Sequence, residues 1–403
     1  MHQCLQIAEI VSQIFSELDG HVYDTRMRFP TRIVHRNEST LRTLAGLART
    51  CRAFKEPALD VLWREIPDLF VLVKHLMPVE LLKYDAASSV LFLTKEPHSD
   101  VWRLSDPYVA RIRTVGIPPP SGVVARGLDP ETVLRPLERH LSLGAADSDI
   151  LFPKLEHVVY QAFWAHELHS RLLLHRNLRV LQLPLMAYTS QWNLPSSATE
   201  NMVTSVGRSI HALSDHVLGA LMRMCNLRTL WVRAALLDQP TFAHLGSLST
   251  LMGLALEAGW SNIAYPSRTE TGPRAFLALR ELSVSIAHTD APQVLAHIAP
   301  ESLEAVNIHW EYLYGAASSS GAVLQELFAA LSQIPKISLK HVSVALDAEM
   351  EQMIHIADGD PDDSYSQRLK GLADCSFNLE PVLCLTALRT LEIGIVGRRA
   401  PGR

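Results

Sequence analysis

The sequence predicts an α/β chain: an N-terminal unit of three helices, then an irregular solenoid of short parallel strands backed by helices. Three observations carry that prediction. Leucine supplies 61 of the 403 residues, well above ordinary usage in a soluble domain. One apolar spacing recurs along the chain: apolar, two variable residues, apolar, one variable residue, apolar. Residues 1–66 show no such strand ladder and follow helical periodicity instead.

The helical unit comes first. Ile7, Ile10, Val11, Ile14, Phe15 and Leu18 recur at 3.6-residue spacing, which predicts an amphipathic helix. Leu41, Leu44, Leu47, Ala48 and Cys51 predict a second. Ala53-Phe54 and Ala58 to Trp63 predict a third, with Pro57 near its start, where a missing N–H costs nothing. Between the first two lies a polar stretch, His21 to Ser39, with Arg26, Arg28, Arg32 and Arg36; it reads as an exposed loop.

Residues 67–403 carry the repeat. It runs through Ile112-Val115-Ile117, Leu155-Val158-Tyr160, Leu178-Leu181-Leu183, Leu227-Leu230-Val232 and Leu251-Leu254-Leu256. It continues through Leu279-Leu282-Val284, Leu303-Val306-Ile308, Leu339-Val342-Val344 and Leu388-Leu391-Ile393. The last apolar pair of each unit alternates with a variable residue, which is strand periodicity. Successive starts are offset by 43, 23, 49, 24, 28, 24, 36 and 49 residues, most of them near 24 or twice that. That is the period of leucine-rich repeats, whose units cannot bury an apolar face alone and therefore stack. Helices fill the gaps: Val217 to Met224 behind Ser214-Asp215, Ala291 to Ile298 behind Asp290, and Gly321 to Leu331. Pro118 to Pro120, Gly144 to Asp149 and Gly315 to Gly321 read as loops. The Asn or Cys that usually follows the strand is missing from most units, so the array is irregular.

Composition narrows the function classes. The formal net charge of −5 offers no general basic field for nucleic acid or anionic lipid. Cys4, Cys51, Cys225, Cys375 and Cys384 form no C-x-x-C pair, which suits a reducing compartment. No basic leader segment opens the chain and no run of about 18 apolar residues occurs, so cytoplasm or nucleus is expected and no membrane span.

Two N-terminal blocks and a third resemble an F-box: Ile7 to Leu18, then Leu44-Ala45-Gly46-Leu47-Ala48-Arg49-Thr50-Cys51-Arg52-Ala53-Phe54, then Glu56-Pro57-Ala58-Leu59-Asp60-Val61-Leu62-Trp63-Arg64-Glu65-Ile66. The second and third are similar to F-box proteins of mushroom-forming fungi, as is Asp100-Val101-Trp102-Arg103 followed by Tyr108 to Arg113. Phe152-Pro153-Lys154-Leu155 resembles the start of a repeat in those proteins. The usual Leu-Pro is replaced here by Ile7-Ala8. The resemblance implies a substrate-recognition subunit of a Skp–cullin–F-box ubiquitin ligase, without catalysis or a cofactor of its own. The helices would dock a Skp-family adaptor, and through it a cullin, while the repeats hold a protein substrate. A unit of about 60 residues cannot bury all its apolar side chains, and an exposed apolar patch marks a contact surface. The adaptor-facing candidates are Ile7, Ile10, Ile14, Leu18, Leu47 and Cys51. For substrate, the variable strand residues are the candidates: Trp231, Arg233, Glu257, Asn307 and His309, with Glu281, His341 and Glu392 on the same face. Without adaptor docking, the same chain would serve as a leucine-rich protein-binding scaffold.

Local enzyme signatures find little support. His166-Glu167-Leu168-His169 is one residue short of H-E-x-x-H, so its imidazoles would not share one metal in the usual geometry. Asp358 to Asp363 suggests a calcium loop, but the twelfth position is Leu369 where a Glu is needed. Neither G-x-x-x-x-G-K-[ST], G-x-G-x-x-G nor G-x-S-x-G occurs.

Overall fold

The computed structural model describes residues 8–18, 38–85, 90–104, 106–116, 127–144, 152–159, 172–183, 215–233, 237–257, 276–287, 302–311, 339–347 and 386–396, with residues 325, 328, 329, 331 and 332. The chain is α/β, with parallel strands and helices, and divides into two compact units, Met1–Met224 and Cys225–Arg403. Ile7, the arginines of the His21–Ser39 stretch, the helix expected at Ala291 to Ile298, the His166–His169 cluster and the Asp358–Asp363 loop lie outside the described residues.

The first unit begins with α1 (Ala8–Leu18), α2 (Glu38–Thr50) and α3 (Arg52–Leu62). Their shared core is Val11, Phe15, Leu44, Ala58 and Val61, with Leu47, Ala48, Phe54 and Leu62 packed against it. The rings of Phe15 and Phe54 meet edge to face at 5.6 Å, a geometry that aligns ring edge with ring face. Two details differ from the sequence reading. Glu38 and Ser39 belong to α2 rather than to the loop. Pro57 sits in the middle of α3 rather than near its start, because the helix already begins at Arg52. The Cys51 carbonyl accepts the Phe54 and Lys55 N–H groups, both at 3.2 Å, so the helix is already wound before Pro57.

Two residues after α3 the chain enters β1 (Glu65–Ile66), then α4 (Leu69–Leu76), whose N-terminus is capped by Asp68 accepting the Val71 N–H at 2.9 Å. Next come β2 (Leu82–Asp85), β3 (Val90–Leu93), α5 (Ser99–Arg103), α6 (Asp106–Val109), β4 (Thr114–Val115), β5 (Gly127–Leu128), α7 (Arg135–Gly144), β6 (His157–Val159) and β7 (Val180–Leu183). Strands β1, β4, β6 and β7 pair in that order, all parallel. The helical span therefore feeds straight into the parallel sheet through Glu65 and Ile66. Strands β2, β3 and β5 form a separate small sheet, with β2 antiparallel and β5 parallel to β3. Gly116 closes β4 at φ +90°, and a Cβ there would lie 1.8 Å from the Val159 carbonyl oxygen. Only glycine suits both demands.

The second unit holds β8 (Thr229–Arg233), α8 (Gln239–Ser247), β9 (Gly253–Glu257), β10 (Glu281–Ala287), β11 (Ala305–Glu311), β12 (His341–Asp347) and β13 (Thr390–Val396). These six strands are parallel and pair in chain order. All nine repeats read from the sequence therefore fall on strands, β4 and β6 to β13. The first apolar residue of each lies two positions before its strand and the second lies within it; the third residues of the first two units, Ile117 and Tyr160, lie outside the described residues. Leu230, Leu254, Leu282, Val306 and Val342 share one register and are fully buried. Each such side chain contributes roughly 1.5–3 kcal/mol, so the core is a continuous row rather than a single cluster. Hydroxyls staple neighbouring repeats: Thr250 Oγ1 donates to the Leu227 carbonyl at 2.9 Å, and Ser302 Oγ to the Leu279 carbonyl at 2.8 Å. Helix α8 escaped the sequence reading, although Asp238 caps it through the Thr241 N–H at 2.9 Å and Pro240 lies in its first turn. Among the expected helices, residues 215–221 are helical, with Val217, Leu221 and Met224 buried. Within the expected third segment, Phe328 and Leu331 are buried.

Candidate functional site

Helix α1 has two apolar faces. Val11 and Phe15 are 2% and 4% exposed, turned into the core with α2 and α3. Ile10, Ile14 and Leu18 are 39%, 42% and 45% exposed. These three lie four residues apart, so they form a single outward stripe over two turns. The division follows from packing: α1 contributes Val11 and Phe15 to a core completed by Leu44 on α2 and by Ala58 and Val61 on α3. Of the remaining adaptor-facing candidates, Leu47 is half-buried against that same core, and Cys51 is half-buried at the start of α3. Four of the six candidates are thus assigned to a face or a core position, and Cys51 sits at the edge.

A bracket that the sequence reading missed joins the three helices to the first repeats. The Arg111 guanidinium donates to Glu56 Oε2 and Asp60 Oδ1, one turn apart on α3, and to the carbonyls of Pro107 at 2.9 Å and Glu56 at 3.4 Å. Its side chain is only 15% exposed. Burial works against its charge, but the hydrogen bond to Glu56 and the charges of Asp60 and Glu56 outweigh it and hold the guanidinium above its ordinary pKa. Beside it, the rings of Trp63 and Tyr108 lie 4.9 Å apart. Arg64 donates to Ser16 Oγ of α1 at 3.0 Å, while its carbonyl accepts the N–H groups of Arg113 and Thr114 at 2.8 and 3.0 Å.

In the second unit the strand register sorts the substrate-facing candidates into rungs. Trp231, Ala255, Ser283, Asn307, Ser343 and Glu392 share one. Arg233, Glu257, Ser285, His309, Ala345 and Gly394 share the next. Trp231 and Asn307 are half-buried, whereas Leu230, Val232, Val306 and Ile308 on the alternate positions are buried. Trp231 and Asn307 stand three strands apart, about 14 Å. Arg233 and Glu257 stand on neighbouring strands. A third rung holds Glu281 and His341, separated by Ala305. Burial and then the charge of Glu304 push the Glu281 carboxyl up, against an opposing pull from His341. Glu304 moves the other way, held down first by a hydrogen bond from Lys340 Nζ at 2.8 Å and then by the charges of Lys340, Arg280 and His341.

Among the described residues, no group of three or more His, Cys, Asp or Glu side chains could hold a metal ion. No helix among them is long and apolar enough to cross a membrane. No family model and no curated protein matches the chain.

Proposed function

We propose that this chain is the substrate-recognition subunit of a Skp–cullin–F-box ubiquitin ligase, of the kind found in mushroom-forming fungi. The helices α1–α3 dock the Skp-family adaptor, and the leucine-rich strands hold a protein substrate. The chain acts by proximity: it raises the local concentration of substrate beside a ubiquitin-charged enzyme and takes no chemical step itself. The observation that carries this reading is the outward stripe Ile10–Ile14–Leu18 on a helix whose other apolar side, Val11 and Phe15, is already used. Three exposed aliphatic side chains in line are what a partner groove takes from an amphipathic helix. The large parallel strand array, with Trp231 among small and polar side chains, supports the substrate-holding half.

The test is co-purification of the full-length chain with a Skp-family adaptor. The double variant Ile10→Asp/Ile14→Asp is expected to abolish the complex while keeping the wild-type circular dichroism spectrum. Retained binding by that folded variant overturns the choice of face. Absence of any complex with the wild-type chain overturns the ligase reading and leaves a leucine-rich protein-binding scaffold.

A further inference from the structure

The residue that immediately precedes each strand of the second unit forms a row of its own. Its members are Arg228, Met252, Arg280, Glu304, Lys340 and Arg389. The backbone ties them together by one repeated device, in which each carbonyl accepts two successive N–H groups from the next repeat. Arg228 accepts from Met252 and Gly253, Met252 from Arg280 and Glu281, and Arg280 from Glu304 and Ala305. Glu304 accepts from Lys340 and His341, and Lys340 from Arg389 and Thr390. Six strands at about 4.8 Å spacing make the row roughly 24 Å long. Arg228, Arg280 and Arg389 are exposed, and Lys340 is half-buried. The single carboxylate, Glu304, is engaged by Lys340 at 2.8 Å and lies in the field of Arg280. Four basic side chains against one carboxylate stand out in a chain whose net charge is −5.

We propose that this row is a docking surface for an extended acidic polypeptide segment. A segment of about seven extended residues, at 3.3 Å each, covers its length. The neighbouring rung carries Glu281 and His341, and Glu392 lies one rung further in. An acidic chain is therefore confined to the strand-leading row and does not spread over the sheet face. Each exposed ion pair is weak by itself, so binding depends on several acting together and weakens steeply with salt. The surface belongs to the second unit alone, and the inference holds whether or not helix α1 docks an adaptor.

The probe is fluorescein-labelled deca-glutamate, titrated with the full-length chain and followed by fluorescence anisotropy at low ionic strength, with deca-lysine as the counter-probe. Deca-glutamate is expected to bind and deca-lysine not to. Arg228→Ala/Arg280→Ala/Arg389→Ala is expected to weaken deca-glutamate binding at least tenfold with its thermal unfolding midpoint kept. Arg42→Ala/Arg103→Ala/Arg139→Ala, which removes exposed arginines of the first unit, is expected to leave it within twofold. No binding of deca-glutamate by the wild-type chain, or an equal loss in both triple variants, overturns the proposal and leaves the row as a solvated face.

Discussion

Arg111→Ala is expected to destabilise the first unit by about 2 kcal/mol. The magnitude follows from what the side chain holds and from where its partners sit. Hydrogen bonds to charged groups contribute about 1.5–3 kcal/mol each when well made. Arg111 makes two of them, to Glu56 and Asp60, and further bonds to the Pro107 and Glu56 carbonyls. Stranding a charge in a fully buried pair costs about 3–5 kcal/mol, but that penalty does not arise here. Glu56 and Asp60 are 62% and 57% exposed and rehydrate once the guanidinium is gone. Removing Arg111 also removes the cost of keeping it 15% exposed. What remains is the low end of two charge-assisted bonds, less that relief, which gives ~2 kcal/mol. Arg111→Lys keeps the charge, but a single ammonium does not bridge two carboxylates a helical turn apart, so about half the loss is expected. Urea denaturation followed by circular dichroism reads both variants, and a double-mutant cycle with Asp60→Asn isolates the pair. A change under about 0.5 kcal/mol for Arg111→Ala, or zero coupling to Asp60, refutes the bracket as a stabilising joint.

Three further outcomes are expected. Phe15→Ala removes a buried ring and its edge-to-face partner Phe54 and should cost about 3–5 kcal/mol. The adjacent Ile14→Ala, 42% exposed, should stay within ~0.5 kcal/mol in the same urea titration; equal losses would contradict the two-faced helix. Gly116→Ala places a Cβ against the Val159 carbonyl at a positive φ, so a loss of at least ~2 kcal/mol is expected, and a wild-type melting temperature would contradict it. Burial pushes the His175 imidazole down to about 4; its Nδ1 accepts the Asn177 N–H at 3.2 Å and its Nε2 is buried. The folded state therefore resists protonation, while the unfolded chain takes up a proton below about pH 6.5. Stability from this group is complete above that pH and falls as pH drops from 6.5 to 4. The ring is partly exposed, so the total loss is about 1–2 kcal/mol. His175→Gln should flatten that slope between pH 7 and 5, and an unchanged slope would rule the group out.

The strand array was the most legible part of the sequence because its signal is local and repeated. Leu227-Leu230-Val232 reads the same way as Leu279-Leu282-Val284, and both land on parallel strands with those residues buried. The rungs follow from the same alignment: Trp231 and Asn307 occupy one repeat position and therefore one row. Other elements carry no such signal. β1 is only two residues long, too short for any periodicity, and exists because β4 pairs with it. The small sheet of β2, β3 and β5 joins residues 82–85, 90–93 and 127–128, and no pattern in the sequence links the last of these to the first two. The Arg111 bracket spans 51 and 55 residues. Nothing local distinguishes Arg111 from Arg113, two residues on, whose side chain is 53% exposed and lies 3.7 Å from Glu156.

Helix α1 marks the limit of pattern reading most sharply. Ile10, Val11, Ile14 and Phe15 all fit the same 3.6-residue period, so spacing alone leaves inward and outward undivided. The division depends on which side the partner helices occupy, and that is set by residues some 30 to 50 positions away: Leu44, Ala58 and Val61. Once those claim Val11 and Phe15, the period itself forces Ile10, Ile14 and Leu18 into one exposed line, because they are a helical turn apart. A solvated helix gains nothing from three aliphatic side chains on its open side. Val11 and Phe15 already supply the contacts of α1 to α2 and α3, so the three exposed residues are left for the proposed adaptor to test. The adaptor-docking experiment therefore bears on why these side chains are apolar at all.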